Sequence, residues 1–438
     1  MMRVIYVTFT YLLAPLAVAM EGWKALWNPD YRGRLHQRLG YVEPSPAPGC
    51  IWVHAVSVGE VQASAALIRA LEQRFPGIPV IVTTVTPTGA QRARALFGAR
   101  VPHRYLPYDL PGAVRRFLDR TQPRVAIILE TEIWPTLYHE LGRRRIPLVM
   151  ASARVSTRSV DRYRRMAKLF RETLSHGILI GAQTPADAER FRTIGAAHDR
   201  VRVTGNVKLD LDIPESTVAA GRAFRAGCAA SRPVWIAGST HEGEEDALLA
   251  AHERVCTRHP EALLILVPRH PQRFDAVKAL LRRRGRSFVS RSSGDRPDRG
   301  HGVYLVDTLG ELQMFYAAAD VAFVAGSLVP IGGHNLLEPA VLGLPILSGP
   351  HTQNAQDIAD LLQDAGALRI VRSGAELAQR VEEWFSDPAL GRTAGAAGRH
   401  AVEQSRGAVD RLVAMVSPLL EPAPGARSAA GLASSGGR

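Results

Sequence analysis

A chain of 438 residues is long enough for two domains, or at most three, each able to bury a core. Hydrophobic residues make 46% of it and charged residues 22%, close to the globular average, which excludes a disordered, collagen-like or polytopic membrane protein. Lys and Arg number 54 against 41 Asp and Glu, a net charge of +13, so the surface favours phosphate-bearing partners: nucleic acid, anionic lipid or a phosphorylated substrate.

Val4 to Met20 carries no charge and is followed by Trp23 and Trp27, then by Lys24, Arg32, Arg34 and Arg38. Such a run is at the short limit of a spanning helix, ~17 residues, and aromatic then basic residues suit a membrane boundary. It reads as a single membrane anchor, with the bulk of the chain on the cytoplasmic side. A cleaved leader ending at Ala17-Val18-Ala19 and an interfacial helix kinked at Pro15 are the competing readings. The three cysteines, Cys50, Cys228 and Cys256, show no C-x-x-C pair or zinc spacing and read as ordinary thiols in a reducing compartment.

After a Pro-rich link at 43–48, short apolar runs alternate with amphipathic stretches. Strands are expected at 51–54, 80–85, 124–129, 147–151 and 177–182, each a near-continuous apolar run of the kind that helices cover on both faces. Helices are expected at 61–73 and 185–194, the second with Thr184 as N-cap and Pro185 in its first position. The pattern pauses at Gly205–Asp210 and Ile213-Pro214. A second alternation follows, with strands at 234–238, 263–268, 303–306, 321–325 and 345–348. A last helical stretch, 393–420, is placed to pack back across the link, and Arg291–Gly300 reads as a surface loop. The expected organisation is an anchor and juxtamembrane segment at 1–42, one doubly wound α/β lobe at 43–212, a second at 213–420, a cleft between them, and a disordered tail at 421–438.

No G-x-x-x-x-G-K-[ST], G-x-G-x-x-G after a strand, H-E-x-x-H or G-x-S-x-G occurs, so P-loop, nicotinamide, zincin and hydrolase chemistry lose their usual support. Asp210-Leu211-Asp212 matches the D-x-D of metal-dependent sugar transferases, and equally an acidic linker. Arg143–Arg145 and Arg282–Arg284 fall near expected helix ends, where cations offset the dipole.

Six constellations carry candidate chemistry, five of them after expected strand ends and one at the link between the lobes. WVHAVSVGE runs from a strand through a small-residue turn into a helix, placing Glu60 at the sheet's carboxyl edge, as a cleft residue or as a helix-start carboxylate. LETEIWP offers Glu130 and Glu132 on an extended segment, as sugar or cation ligands or as caps of the helix starting at Pro135, Glu132 more than Glu130. Lys208 in GNVKLD stands at the hinge, able to neutralise a leaving phosphate or simply solvated. In the second lobe VPRHP and DTLGE follow strands, and GGHNLLEP combines a Gly pair for close phosphate approach with Asn335 as helix cap and Glu338 one turn on, a candidate acceptor for ribose hydroxyls. Together these second-lobe loops point to a nucleotide site.

At HAVSVGE, ETEIWP, GNVKLD, GSTHEGEE, VPRHPQRF, DTLGEL and GGHNLLEP the chain resembles the bacterial 3-deoxy-D-manno-octulosonic acid (Kdo) transferases, over the stretch from the N-terminus to about Leu420. The resemblance implies a glycosyltransferase-B fold of two Rossmann-like lobes and an inverting transfer of Kdo from CMP-Kdo to the lipid A precursor in lipopolysaccharide core biosynthesis. It implies Glu60 as general base, ionised beside its helix N-terminus, with Glu130 and Lys208 as transition-state stabilisers. Pro268, Arg269, Leu309, Gly310, Glu311, Asn335, Leu336, Leu337 and Glu338 match the CMP-binding positions, and Ser239 and Thr240 are further phosphate or carboxylate contacts. No metal, no other cofactor and no nucleic-acid partner are expected. Leu209 departs from the family, where an aromatic is common. A UDP-sugar transferase or epimerase of the same fold, and a non-catalytic basic protein binding lipid or nucleic acid, are the alternatives.

Overall fold

The computed structural model describes residues 2–27, 31, 34–155, 160, 172–174 and 177–421. From 422 onward, the tail expected to be disordered lies outside the described residues.

Every apolar run expected to be a strand is one. The first sheet is built from β1 (Cys50–His54), β2 (Val80–Thr84), β3 (His103–Tyr105), β4 (Pro123–Leu129), β5 (Leu148–Ala153), β6 (Leu179–Ala182) and β7 (Val201–Val203), in the spatial order β3-β2-β1-β4-β5-β6-β7. The second holds β8 (Val234–Thr240), β9 (Leu263–Pro268), β10 (Phe288–Ser290), β11 (Val303–Leu305), β12 (Val321–Val324), β13 (Ile346–Ser348) and β14 (Leu368–Ile370), in the order β10-β11-β9-β8-β12-β13-β14. All pairings are parallel, with Trp52 level with Ile81 and Ala126 in one sheet and Ile236 level with Ile265 and Ala322 in the other. Parallel neighbours need a crossover, and helices supply it on both faces. In β1, alternate residues enter opposite cores: Cys50 and Trp52 join Phe117 and Tyr138, while Ile51 and Val53 join Leu67, Ile68 and Leu412. Each such fully buried aliphatic contributes about 1.5–3 kcal/mol.

Each sheet changes direction beside its first strand. The chain lays β2 and β3 on one side of β1 and then jumps to β4 on the other; likewise β9 lies on one side of β8 and β12 on the other. Ligands of open α/β sheets gather outside the carboxyl ends of the strands at such reversals.

The chain forms two compact units. The first runs to Asp210 and takes in the chain from Arg406; the second is Leu211–Ser405. This corrects the expected boundary, which left residues up to 420 in the second unit. The expected 393–420 helix is two, Pro388–Gln404 and Ala408–Leu420, separated at Gly407, whose φ of 90° a side chain rarely adopts. Leu412, Val416 and Leu420 join the core formed by Val61, Leu67 and Ile68 of the first unit. Asp210 fixes the joint by accepting hydrogen bonds from the N–H of Gly407 at 2.7 Å and of Val409 at 2.6 Å. Asp210→Ala should therefore lower stability by about 1–2 kcal/mol, the usual cost of a lost helix cap, read as a shifted denaturant midpoint. Of the D-x-D pair, Asp210 is a cap.

A helix spans Met2–Trp27 with Pro15 inside it, and its Arg3–Trp27 portion is long and apolar enough to cross a membrane. Tyr6, Thr10, Ala14, Ala17 and Glu21, spaced three or four apart, are half-buried along one side, whereas Val4, Phe9, Leu12, Leu16, Met20, Trp23 and Trp27 are exposed. The Tyr6 hydroxyl donates to Asp109 Oδ2 at 2.9 Å, and Glu21 lies 3.7 Å from Arg34.

The basic runs end helices as expected: Arg143 closes Pro135–Arg143 and Arg283 closes Phe274–Arg283. Thr184 caps Pro185–Thr193 by accepting from the Asp187 N–H at 3.1 Å. Cys50, Cys228 and Cys256 are free thiols.

Candidate active site

In the first unit, the site grows from the carboxyl ends of β1 and β4, the two strands flanking the reversal. Trp52 Nε1 donates to Thr83 Oγ1 at 2.8 Å, and His54 Nδ1 lies 2.8 Å from the same hydroxyl. Burial pushes the His54 ring down to about 3, so it is neutral and pins the end of β1 to β2. The chain then turns through Val56 and Ser57 into the helix Val58–Arg74. Glu60, in that helix's first turn, reaches back like the acid of a capping box: its carboxylate accepts from the Val56 N–H at 2.7 Å and from the Ser57 hydroxyl at 3.2 Å. The side chain thus does what the helix-start reading expects, tying the turn at Val56 and Ser57 to the helix.

Its electrostatics correct the expectation that the helix N-terminus keeps Glu60 fully ionised. Burial outweighs the Val56 and Ser57 hydrogen bonds, and the nearby charges of Glu130 and Glu132 add to it, raising Glu60 to about 7. Near neutrality the group is both partly ionised and able to take a proton, which is where a general base is most effective.

Glu130 follows β4 with φ of 57°, a left-handed conformation that a residue with a long side chain rarely adopts. Strain of this kind persists where surrounding structure enforces it and clusters at functional sites. Here the Glu130 N–H donates to Ala151 O at 2.8 Å, and its carboxylate lies 2.6 Å from Lys208 Nζ. Lys208 comes from the short helical turn Val207–Asp210, held by Ser152 and Asn206: Ser152 Oγ accepts from the Val207 N–H at 3.2 Å and Asn206 Oδ1 from the Lys208 N–H at 3.0 Å. Ser152 is itself left-handed, with φ of 56°. Burial and then Glu130 raise Glu132. The structure therefore brings Glu60, Glu130, Glu132 and Lys208 together: three carboxylates and one cation.

Glu132 does not cap the helix Pro135–Arg143. Asp109, a residue sequence reading missed, does so, accepting from the N–H of Thr136 at 2.9 Å and of Leu137 at 2.8 Å. Its only sequence signal is an acidic residue ahead of Pro111, in a different loop.

In the second unit, four neighbouring strands, β11, β9, β8 and β12, carry the candidate nucleotide loops at their carboxyl ends. Pro268 closes β9, and Arg269 beyond it is exposed, with no side-chain partner among the described residues. Leu309 is exposed and Gly310 has φ of 85°. The Glu311 carboxylate is gripped by the Arg291 guanidinium, closest at 2.7 Å, and by the Thr308 hydroxyl, and the Arg291 hydrogen bonds hold it below its usual range. With that carboxylate taken, the loop's open groups are the exposed Leu309 and the Gly310 backbone. Asn335 Oδ1 accepts from the Leu337 N–H at 3.1 Å, and Leu336 and Leu337 are buried. Glu338 Oε1 accepts from Gln313 Nε2 at 3.1 Å. The Gly pair has a packing reason: a Cβ on Gly332 would meet the Asn354 side chain at 2.5 Å, and one on Gly333 the His351 carbonyl at 2.9 Å.

Thr240 is corrected as a free ligand contact, since it is fully buried and its hydroxyl donates to Glu245 Oε1 at 3.2 Å. Ser239 beside it is nearly buried with φ of 62°. The Arg291–Gly300 segment is not all loop, because it follows the edge strand β10 and opens with a turn of 3-10 helix. Among the described residues no group of three or more His, Cys, Asp or Glu side chains is arranged to hold a metal ion.

Two seven-stranded parallel sheets, each with polar residues collected at its reversal, define the glycosyltransferase-B fold of two Rossmann-like units. Solved structures share this architecture at identities that speak for fold alone: a UDP-GlcNAc 2-epimerase from Neisseria meningitidis (TM-score 0.56, 16% identity, 84% of this chain and 99% of that one) and a glycosyltransferase from Rickettsia africae (0.55, 12%, 86% and 100%). Residues 33–211 match the family described as 3-Deoxy-D-manno-octulosonic-acid transferase (kdotransferase). The 3-deoxy-D-manno-octulosonic acid transferase of Haemophilus influenzae is 38% identical over 96% of this chain and 99% of its own length, and that of Bordetella pertussis 40% identical over 76% and 78%. The chain belongs to the 3-deoxy-D-manno-octulosonic acid transferase family.

Proposed function

We propose that the chain moves Kdo from CMP-Kdo to a glucosamine hydroxyl of the lipid A precursor, with inversion at the anomeric carbon, and that Glu60 is the general base. The observation that carries this reading is the Glu60 carboxylate, raised to about 7, standing beside the Glu130–Lys208 pair at the β1/β4 reversal. The acceptor's O–H bond breaks with its proton passing to Glu60. The freed oxygen pair forms the new bond to the anomeric carbon, and the bond from that carbon to the phosphate oxygen breaks with its electrons leaving on CMP. Glu130 faces positive charge developing on the sugar; Lys208 positions Glu130 and supplies a cation toward negative charge. Pro268, Arg269, Leu309–Glu311 and Asn335–Glu338 hold the nucleotide, with Arg269 the cation available to its phosphate.

Mass spectrometry of products after incubation of the purified chain with tetra-acylated lipid A precursor and a CMP-Kdo supply tests this. One or two added Kdo units support it and give the number transferred. No product with CMP-Kdo, or turnover of UDP-sugars instead, overturns it.

The same reading places the enzyme at the cytoplasmic face of a membrane through the helix Met2–Trp27. Polar ties at Tyr6 and Glu21, near both ends, favour a helix lying along the flank of its unit with the apolar side toward lipid. Each Lys or Arg near an anionic surface adds about 1 kcal/mol. Leu12, 73% exposed, is central in that apolar side. Leu12→Asp should weaken binding to vesicles containing anionic lipid by about 10- to 100-fold in a sedimentation assay, while transfer to a detergent-dispersed acceptor persists.

A further inference from the structure

Three neighbouring strands of the second sheet, β9, β8 and β12, each deliver a histidine just beyond the carboxyl edge: His270, His241 and His334. His241 and His334 come from the two strands that flank the reversal. Their rings stack at 5.0 Å between centroids and 9° between planes, with Nε2 atoms 2.8 Å apart, so one donates and the other accepts. His270 meets His241 edge-on at 5.3 Å. Arg269, next in the chain to His270, is exposed and without a side-chain partner among the described residues.

The frame around the pair is fixed. Buried Glu244 accepts from the N–H of His241 at 3.0 Å and, across the reversal, from those of Gly326 at 2.8 Å and of Ser327 and Leu328 at 3.0 Å each. Gly326 has φ of 69°, and a Cβ there would meet the His334 ring at 2.8 Å, so the backbone makes way for that imidazole. Burial foremost, then the neighbouring His241, Arg269 and His270, hold His334 down at about 4; burial also lowers His241, with Glu244 opposing and His270, Arg269 and Arg273 assisting. Both rings are therefore neutral at pH 7, and each offers an N–H without the cost of burying a charge.

We propose that His241 and His334, with His270 and Arg269 beside them, bind the phosphate of the donor nucleotide and stabilise the charge it gains as the sugar departs. The inference rests on the CMP-sugar reading above and names side chains of that donor site. When the carbon–oxygen bond to the sugar breaks, its electron pair stays on the phosphate oxygen, whose group passes from one negative charge to two, while the acceptor's proton goes to Glu60. An imidazole N–H then exchanges its bond within the histidine pair for a charge-assisted one, roughly twice as strong as a neutral hydrogen bond and strongest when the second charge has formed.

Titration calorimetry of the full chain with CMP and with cytidine, which lacks the phosphate, tests this. The wild type should prefer CMP, and His241→Asn and His334→Gln should each reduce that preference by about 10- to 100-fold, with cytidine affinity unchanged as the internal control of folding. His270→Gln, at an exposed position, should reduce it less. In steady state the two larger losses should appear in kcat more than in KM for the donor. Variants that keep the wild-type preference overturn the proposal while leaving the donor reading standing. A wild type that does not distinguish CMP from cytidine overturns the donor reading and this inference with it. Should one substitution abolish binding of both compounds, the other variant and His270→Gln decide.

Discussion

Glu60→Gln is expected to bind CMP as the wild type does and to lose about 10²–10⁴-fold in the rate of sugar transfer, the usual worth of a positioned general base. The amide preserves size: its oxygen can still accept from the Val56 N–H, and its NH2 can donate to the Ser57 hydroxyl in place of the bond Glu60 accepts there, so the turn into the helix Val58–Arg74 survives. The wild type should show the base in its pH profile. A base works deprotonated, and with Glu60 at about 7 the rate should fall roughly tenfold per pH unit on the acid side of that value. The linkage sign follows from a folded value raised above the ordinary 4.5: the folded chain holds this proton more tightly than the unfolded one. The resulting stabilisation is fully present below pH 4.5 and is lost as pH rises through 7. A rate flat between pH 5 and 8, or a Glu60→Gln chain with wild-type turnover, would remove Glu60 from the mechanism.

The sequence made the interior of both sheets readable and left their margins dark. Central strands such as β1, β4, β8 and β9 are covered on both faces, so their residues are apolar throughout and stand out from the chain. The four edge strands, β3, β7, β10 and β14, were all missed. Each is three residues long and half exposed, and His103-Arg104-Tyr105, Val201-Arg202-Val203 and Leu368-Arg369-Ile370 mix charge into the strand as edges do. The C-terminal boundary failed for a related reason. Amphipathic periodicity marks Ala408–Leu420 as a helix but does not say which apolar surface receives it, and Asp210, which fixes the answer, reads in sequence as linker charge.

The site divides along the same line. Glu60, Glu130, Arg269 and Asn335 were legible because a strand end running into a turn puts polar residues at the sheet's carboxyl edge. The Lys208 partnership with Glu130 joins residues 78 positions apart, and no local spacing encodes it. Each of the three histidines stands in a different motif, and only the β9-β8-β12 order makes them neighbours. Burial was equally invisible. The helix-dipole argument lowered Glu60, and the packed surroundings raised it.

Opposite pH shifts are expected from the two partners of the Lys208–Glu130 pair, and the contrast separates catalysis from mere support. Glu130 is a like charge that raises Glu60, whereas Lys208, 2.6 Å from it, offsets that charge. Glu130→Gln removes the repulsion, so the acid limb of the profile should move below 7. Lys208→Ala leaves Glu130 uncompensated beside Glu60 and Glu132, so the limb should move above 7. Each change should also lower kcat by about 10²–10³-fold, the range for loss of one preorganised electrostatic group. The pair is about one-third exposed, so little of that loss should come from stability. Thermal melts of both variants should stay within a few degrees of wild type. Because the two groups act on one another, the double variant should lose far less than the product of the single losses, with the limb returned toward that of Glu130→Gln. Limbs moving in the same direction, or losses that multiply, would show that Lys208 and Glu130 act separately, and the paired arrangement at the end of β4 would then have no part in tuning the base.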